Sequence, residues 1–108
     1  MTVIRLEGPW AALDEEAVRR IPAVLGVFEL GDADGVVRLI GYAGGRSLFG
    51  LRSEIGAHRG SFDRFRYEVT SAYLSRWQEL LMVHQADHGA LPPDQPDPGR
   101  RLGRLSPQ

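Results

Sequence analysis

The chain has 108 residues, 43 % of them hydrophobic, which suits one domain around one core. Its formal net charge of −1 excludes a chain that holds polyanions through its overall field. The absence of cysteine excludes a disulfide framework, a thiolate metal site and a thiol nucleophile.

No apolar run reaches the roughly 20 residues needed to span a bilayer, and the start Met1-Thr2-Val3-Ile4-Arg5-Leu6-Glu7 lacks a signal peptide's apolar region. The expectation is a cytoplasmic domain with no membrane partner.

In chain order, Asp14-Glu15-Glu16 can cap and open a helix whose apolar side is Leu13, Ala17, Val18 and Ile21, before Pro22 ends it. Val24 to Leu30 and Val36 to Tyr42 are β runs joined by the turn formers Gly31 to Gly35, a hairpin pattern. Pairing Leu30 with Val37 sets Phe28 opposite Leu39. Gly26, Phe28, Leu39 and Gly41 then share one sheet face, because side chains alternate along a strand.

Ser47 can cap a helix with Leu48, Leu51 and Ile55 on one side, running to His58; Gly50 in its interior would cost roughly 1 kcal/mol relative to alanine. Phe65 to Thr70 alternates as a third strand. Thr70 or Ser71 then caps a long helix through His88, with Tyr73, Leu74, Trp77, Leu80, Leu81 and His84 towards the core and Gly89 as its stop. Residues 1–89 thus form one α/β domain of the α+β type, a small three-stranded antiparallel sheet flanked by helices. Its core covers 24–88 and its helical lead-in 13–21. The stretch 90–108, with Pro92, Pro93, Pro96 and Pro98 and then Arg100, Arg101 and Arg104, is expected to be a flexible tail.

Charge is segregated. Residues 1–37 hold three arginines against seven acidic side chains, and residues 38–76 hold seven arginines against three. Every basic residue is arginine, whose planar fork suits phosphate; a coding bias would produce the same choice. A solvated face and an anion-binding face both fit this pattern.

Gly26-Val27-Phe28 and Leu39-Ile40-Gly41 lie ten residues apart with Asp34-Gly35 between them, and a helix with Leu51-Arg52, one strand and a long helix follow. This order resembles the GIY-YIG nuclease superfamily. The glycines and aliphatic centres of its two triplets match, whereas Phe28 and Leu39 stand where the family carries tyrosine.

The resemblance implies a nucleic-acid partner, DNA or RNA, and phosphodiester cleavage assisted by one divalent ion, magnesium or manganese, with no organic cofactor. It implies that Arg52 holds the scissile phosphate and neutralises developing charge on it. Arg46 and Arg66 are further candidates for phosphate, the first on a Gly-Gly loop that could form a backbone nest. His58 is a candidate proton shuttle or phosphate contact, or else a helix-end histidine favoured by the dipole. The family's metal-binding glutamate falls on Gln78, with Glu79 one residue away.

Two of these positions argue against cleavage. Phe28 has no hydroxyl with which to take a proton from water, and the neutral amide of Gln78 is a poor ligand for a hard cation. Tyr42 is a nearby phenol, but alternation sends it to the face opposite Gly41. His84 and His88, one turn apart, have two-histidine metal spacing without a clear third ligand. Three readings follow: a metal-dependent nuclease, a binding module for nucleic-acid phosphate, or a protein-interaction domain using the apolar Phe28 and Leu39 face.

Overall fold

The computed structural model describes residues 5–96. Its elements are β1 (Ala11–Ala12), α1 (Glu15–Arg19), β2 (Gly26–Gly31), β3 (Val37–Ala43), α2 (Gly50–Gly56), β4 (Arg64–Val69) and α3 (Tyr73–His88). The fold is α+β: one antiparallel sheet of order β1-β4-β2-β3 with helices against both faces. The three expected strands are joined by the two-residue β1, which covers the outer edge of β4. Among the described residues no helix is long and apolar enough to cross a membrane.

All of β2 is buried because it runs between β3 and β4 and beneath helices on either side. Its one charged residue, Glu29, therefore requires an arginine partner. Phe28 and Leu30 join Leu13, Ile21, Leu51, Ile55 and Phe65 in a cluster under α1 and α2. Val27 points the other way, into a cluster with Leu6, Ile40, Leu80 and Leu81 under α3. Seven residues of helix are too few to be stable alone. The anchor of α2 is the burial of Leu51 and Ile55, each side chain contributing about 1.5–3 kcal/mol.

The hairpin register differs from the expected one. Leu30 pairs with Leu39 and Phe28 with Gly41, while Gly31 pairs with Val37, so Arg38 is an extra residue on β3. The turn imposes this, since the Asp32 carboxylate accepts hydrogen bonds from the N–H groups of Asp34 and Val36 and Gly35 adopts φ +83°. The shift is two residues, an even number. Gly26, Phe28, Leu39 and Gly41 consequently still share a face.

Helix α2 begins at Gly50 and not at Ser47. Gly50 has φ +55°, and a Cβ there would lie 2.4 Å from the Val24 carbonyl oxygen, which accepts the Leu51 N–H at 2.8 Å. The glycine is a requirement of that crossing, not a weak point inside a helix. At the lead-in, Asp14 caps α1 by accepting the Ala17 N–H at 2.8 Å. Helix α3 starts at Tyr73, beyond Thr70 and Ser71, and Gly89 ends it in a left-handed conformation.

Edge strand β3 is covered by the stretch after α3. The Asp94 N–H donates to the Arg38 carbonyl and the Asp94 carboxylate accepts from the Arg38 guanidinium at 2.8 Å. The Gln95 side-chain amide accepts the Ile40 N–H and donates to the Ile40 carbonyl, imitating a neighbouring strand. The first part of the proline-rich tail is thus held on the sheet. Its remainder, with Pro98, Arg100, Arg101 and Arg104, lies outside the described residues.

Candidate functional site

An open cleft of about 870 Å³ wraps the outer side of β3, with Gln95 and Pro96 of the covering stretch in its lining. On the α2 side it is lined by Phe28, Leu39, Gly41, Ser47, Glu54 and His58. On the α3 side Tyr42, Tyr73, Leu74 and Trp77 line it, and Gly44, Gly45 and Arg46 close one end.

The floor follows from the hairpin register. Phe28 is 2 % exposed and its ring lies across Gly41, where a Cβ would come within 2.3 Å of Cζ. The glycine in the second triplet is therefore explained by packing against the aromatic residue of the first. Beyond Phe28 the His58 ring stands 6.3 Å away centroid to centroid and meets Phe62 edge-on at 5.7 Å. Phe28 itself is roofed by α1 and α2, with Leu39 partly buried against the same cluster.

Spacing on α2 decides which polar groups reach the cleft. With Leu51 and Ile55 turned to the sheet, Glu54 and His58 line the cleft one turn apart. Arg52 falls on the other side, where its Nε donates to the Ile21 carbonyl at 2.8 Å and ties α2 to the end of α1. Ser47 donates to the Glu54 carboxylate at 2.8 Å. That bond brings the loop before α2 down onto the helix and leaves Arg46 exposed at the mouth. Among the described residues Arg46 has no ion-pair partner, in contrast to Arg38, Arg66 and Arg76.

Arg66 lies on the sheet's other face. Its Nε donates to Glu29 at 2.8 Å and its guanidinium carbon sits 4.2 Å from the Trp10 ring centroid. Burial pushes the Glu29 carboxyl above its ordinary value, against the opposing hydrogen bond and charge of Arg66 and the charge of Arg76. The three arginines expected at phosphate are thus separated: Arg46 at the cleft, Arg52 behind α2, Arg66 beneath α3.

Gln78 and Glu79 are on α3 outside the cleft lining, and the Glu79 carboxylate accepts from Arg76 at 2.7 Å. Among the described residues Glu54 is the one carboxylate lining the cleft. Among the described residues no three His, Asp or Glu side chains are grouped to hold a metal ion. The donors present do not suit the divalent ion that the resemblance implies. The His84 and His88 rings lie 4.3 Å apart at a tilt of 33°, with His84 Nδ1 3.1 Å from the Ala90 carbonyl, and burial pushes the His84 imidazole below its ordinary value.

Glu54 and Tyr73 were not singled out from the sequence. The signal for Glu54 was its place four residues before His58 and three after the core residue Leu51. For Tyr73 it was the helical spacing to Trp77. Both aromatic rings meet Tyr42, which stacks on Tyr73 at 5.7 Å and 22° and meets Trp77 edge-on at 5.1 Å. The Tyr73 hydroxyl in turn accepts the Gly45 N–H at 3.2 Å, fixing the loop that carries Arg46.

A family model described as "Domain of unknown function (DUF7508)" matches residues 4–87, and the chain belongs to that family. No curated protein and no solved structure matches the chain.

Proposed function

We propose that this member of the DUF7508 family binds nucleic acid by its phosphate backbone in the β3 cleft, as a non-cleaving relative of GIY-YIG nucleases. The observation that carries the reading is the convergence of Phe28, Gly41, Arg46 and His58 on one open cleft. Arg46 supplies a guanidinium with no ion-pair partner among the described residues, and the exposed Gly45 lets a phosphate approach closely on its open side.

Cleavage is left out for reasons of position. The ring of Phe28 occupies the place of the absent phenol, Arg52 is engaged at Ile21, and Glu79 is engaged by Arg76. With the phenol replaced by Phe28 and Arg52 turned to Ile21, the phosphate is held but not activated in the manner of the family.

The test is anisotropy of labelled DNA and RNA oligonucleotides across a salt series. Binding should weaken steeply with salt, as counterion release requires. Arg46→Ala should lower affinity, whereas Arg52→Ala, checked for folding by circular dichroism, should leave it within about twofold, because that guanidinium faces away. Equal affinity in wild type and Arg46→Ala would overturn the reading. Nicking of any oligonucleotide with magnesium or manganese would overturn its non-cleaving part.

A further inference from the structure

We infer that the ligand of this cleft is single-stranded nucleic acid, with one base stacked on Tyr42; this rests on the phosphate-binding reading of the same cleft. The Tyr42 ring is 38 % exposed although it packs on both Tyr73 and Trp77. Those two neighbours fix its plane. Tyr42 lines the cleft as a partly exposed aromatic ring that its two neighbours already hold in place before a base arrives.

The platform stands next to Arg46 and the open side of Gly45, which suit phosphate. Tyr42 precedes Ala43 and the Gly44-Gly45-Arg46 loop, and the Tyr73 hydroxyl that accepts the Gly45 N–H belongs to the ring stacked on Tyr42. Stack and loop are therefore directly linked. At Gly45 a Cβ would meet only the Tyr73 hydroxyl oxygen, at 3.8 Å, so the backbone there is open to a sugar-phosphate chain. A nucleotide could set its base on Tyr42 and its phosphate at Arg46 together.

Duplex is the poorer ligand on this geometry. Inside a helix each base face is covered by its neighbours, and only edges and backbone are offered, so Tyr42 would find nothing to stack on. A single strand exposes base faces at little cost. Preference among bases should be weak, since every base has a π face.

The experiment compares a labelled single-stranded oligonucleotide with its own duplex at one salt concentration, for wild type, Tyr42→Leu, Tyr42→Phe and Arg46→Ala. Wild type should favour the single strand by about tenfold, within the range of one base–aromatic stack. Tyr42→Leu, which keeps apolar packing against Tyr73 and Trp77, should remove that preference, and Tyr42→Phe should retain it. Arg46-dependent binding with equal affinity for both forms, or with a preference that survives Tyr42→Leu, overturns the stacking inference and leaves phosphate binding intact. Binding to neither form overturns both. Should Tyr42→Leu fail to fold, the wild-type comparison and Tyr42→Phe decide alone.

Discussion

Replacing Gly41 by alanine places a methyl group 2.3 Å from Cζ of Phe28 and 2.8 Å from Cε1, distances that real Cβ atoms do not show. Phe28 is 2 % exposed and packed beneath α1 and α2, so its ring has little room to withdraw. Overpacking of this kind costs about 1–3 kcal/mol. Gly41 does not have a positive φ, so alanine fits its backbone and returns roughly 0.5–1 kcal/mol that glycine loses in a strand. The net expectation is a destabilisation of about 1–2 kcal/mol, which lowers Tm by roughly 5–15 °C in a domain of this size. A double-mutant cycle with Phe28→Ala isolates the cause, measured by urea unfolding. In the Phe28→Ala background the clash is gone, and Gly41→Ala should become neutral or slightly stabilising. An equal cost in both backgrounds would refute the claim that the second-triplet glycine exists to admit the Phe28 ring.

Three further outcomes test other joints of the fold. Gly50→Ala should destabilise by more than Gly60→Ala in thermal melts, since both have positive φ but only the Cβ at 50 would strike backbone, at Val24; equal losses would contradict this. Gln95→Ala should cost about 1 kcal/mol and speed amide exchange at Ile40 in NMR, because the edge N–H loses its acceptor; unchanged exchange would mean that the tail is not held there. Glu29→Gln carries a pH signature. The carboxyl is raised in the folded state, so folded chains bind a proton more readily than unfolded ones above the ordinary value of 4.5, and wild-type stability from this group falls as pH rises through that window. The stability of wild type relative to Glu29→Gln should therefore be greater at pH 4 than at pH 7 by urea unfolding, and the opposite trend would show that Arg66 outweighs burial.

Tertiary pairing changed several local expectations for identifiable reasons. The β run from Val24 to Leu30 marks a strand whatever it pairs with, but its register came from Arg38 bulging out beside an Asp32-centred turn. The glycine at 50 looks like a helix weakness until Val24 is seen to cross over it, a contact that no local pattern contains. Arg52 was expected at phosphate because it follows the motif strands on a helix. Its direction depended on where Leu51 and Ile55 found the sheet, and that turned it to Ile21. The cover on β3 comes from Gln95, 55 residues from Ile40, within a stretch whose prolines suggest only a tail.

What the chain's order of residues determined by itself is the set of elements: two glycine-bearing strands in a hairpin, a helix, a third strand and a long helix stopped by Gly89. These rest on period, capping and backbone freedom, which act over a few residues. Only the tertiary structure decided which arginine faces the cleft, that Phe28 fills the space over Gly41, and that Tyr42, Tyr73 and the Arg46 loop are directly linked. Those outcomes depend on how separate elements bury their apolar sides against one another, and a single step along a helix or strand redirects a side chain from the cleft to the opposite face.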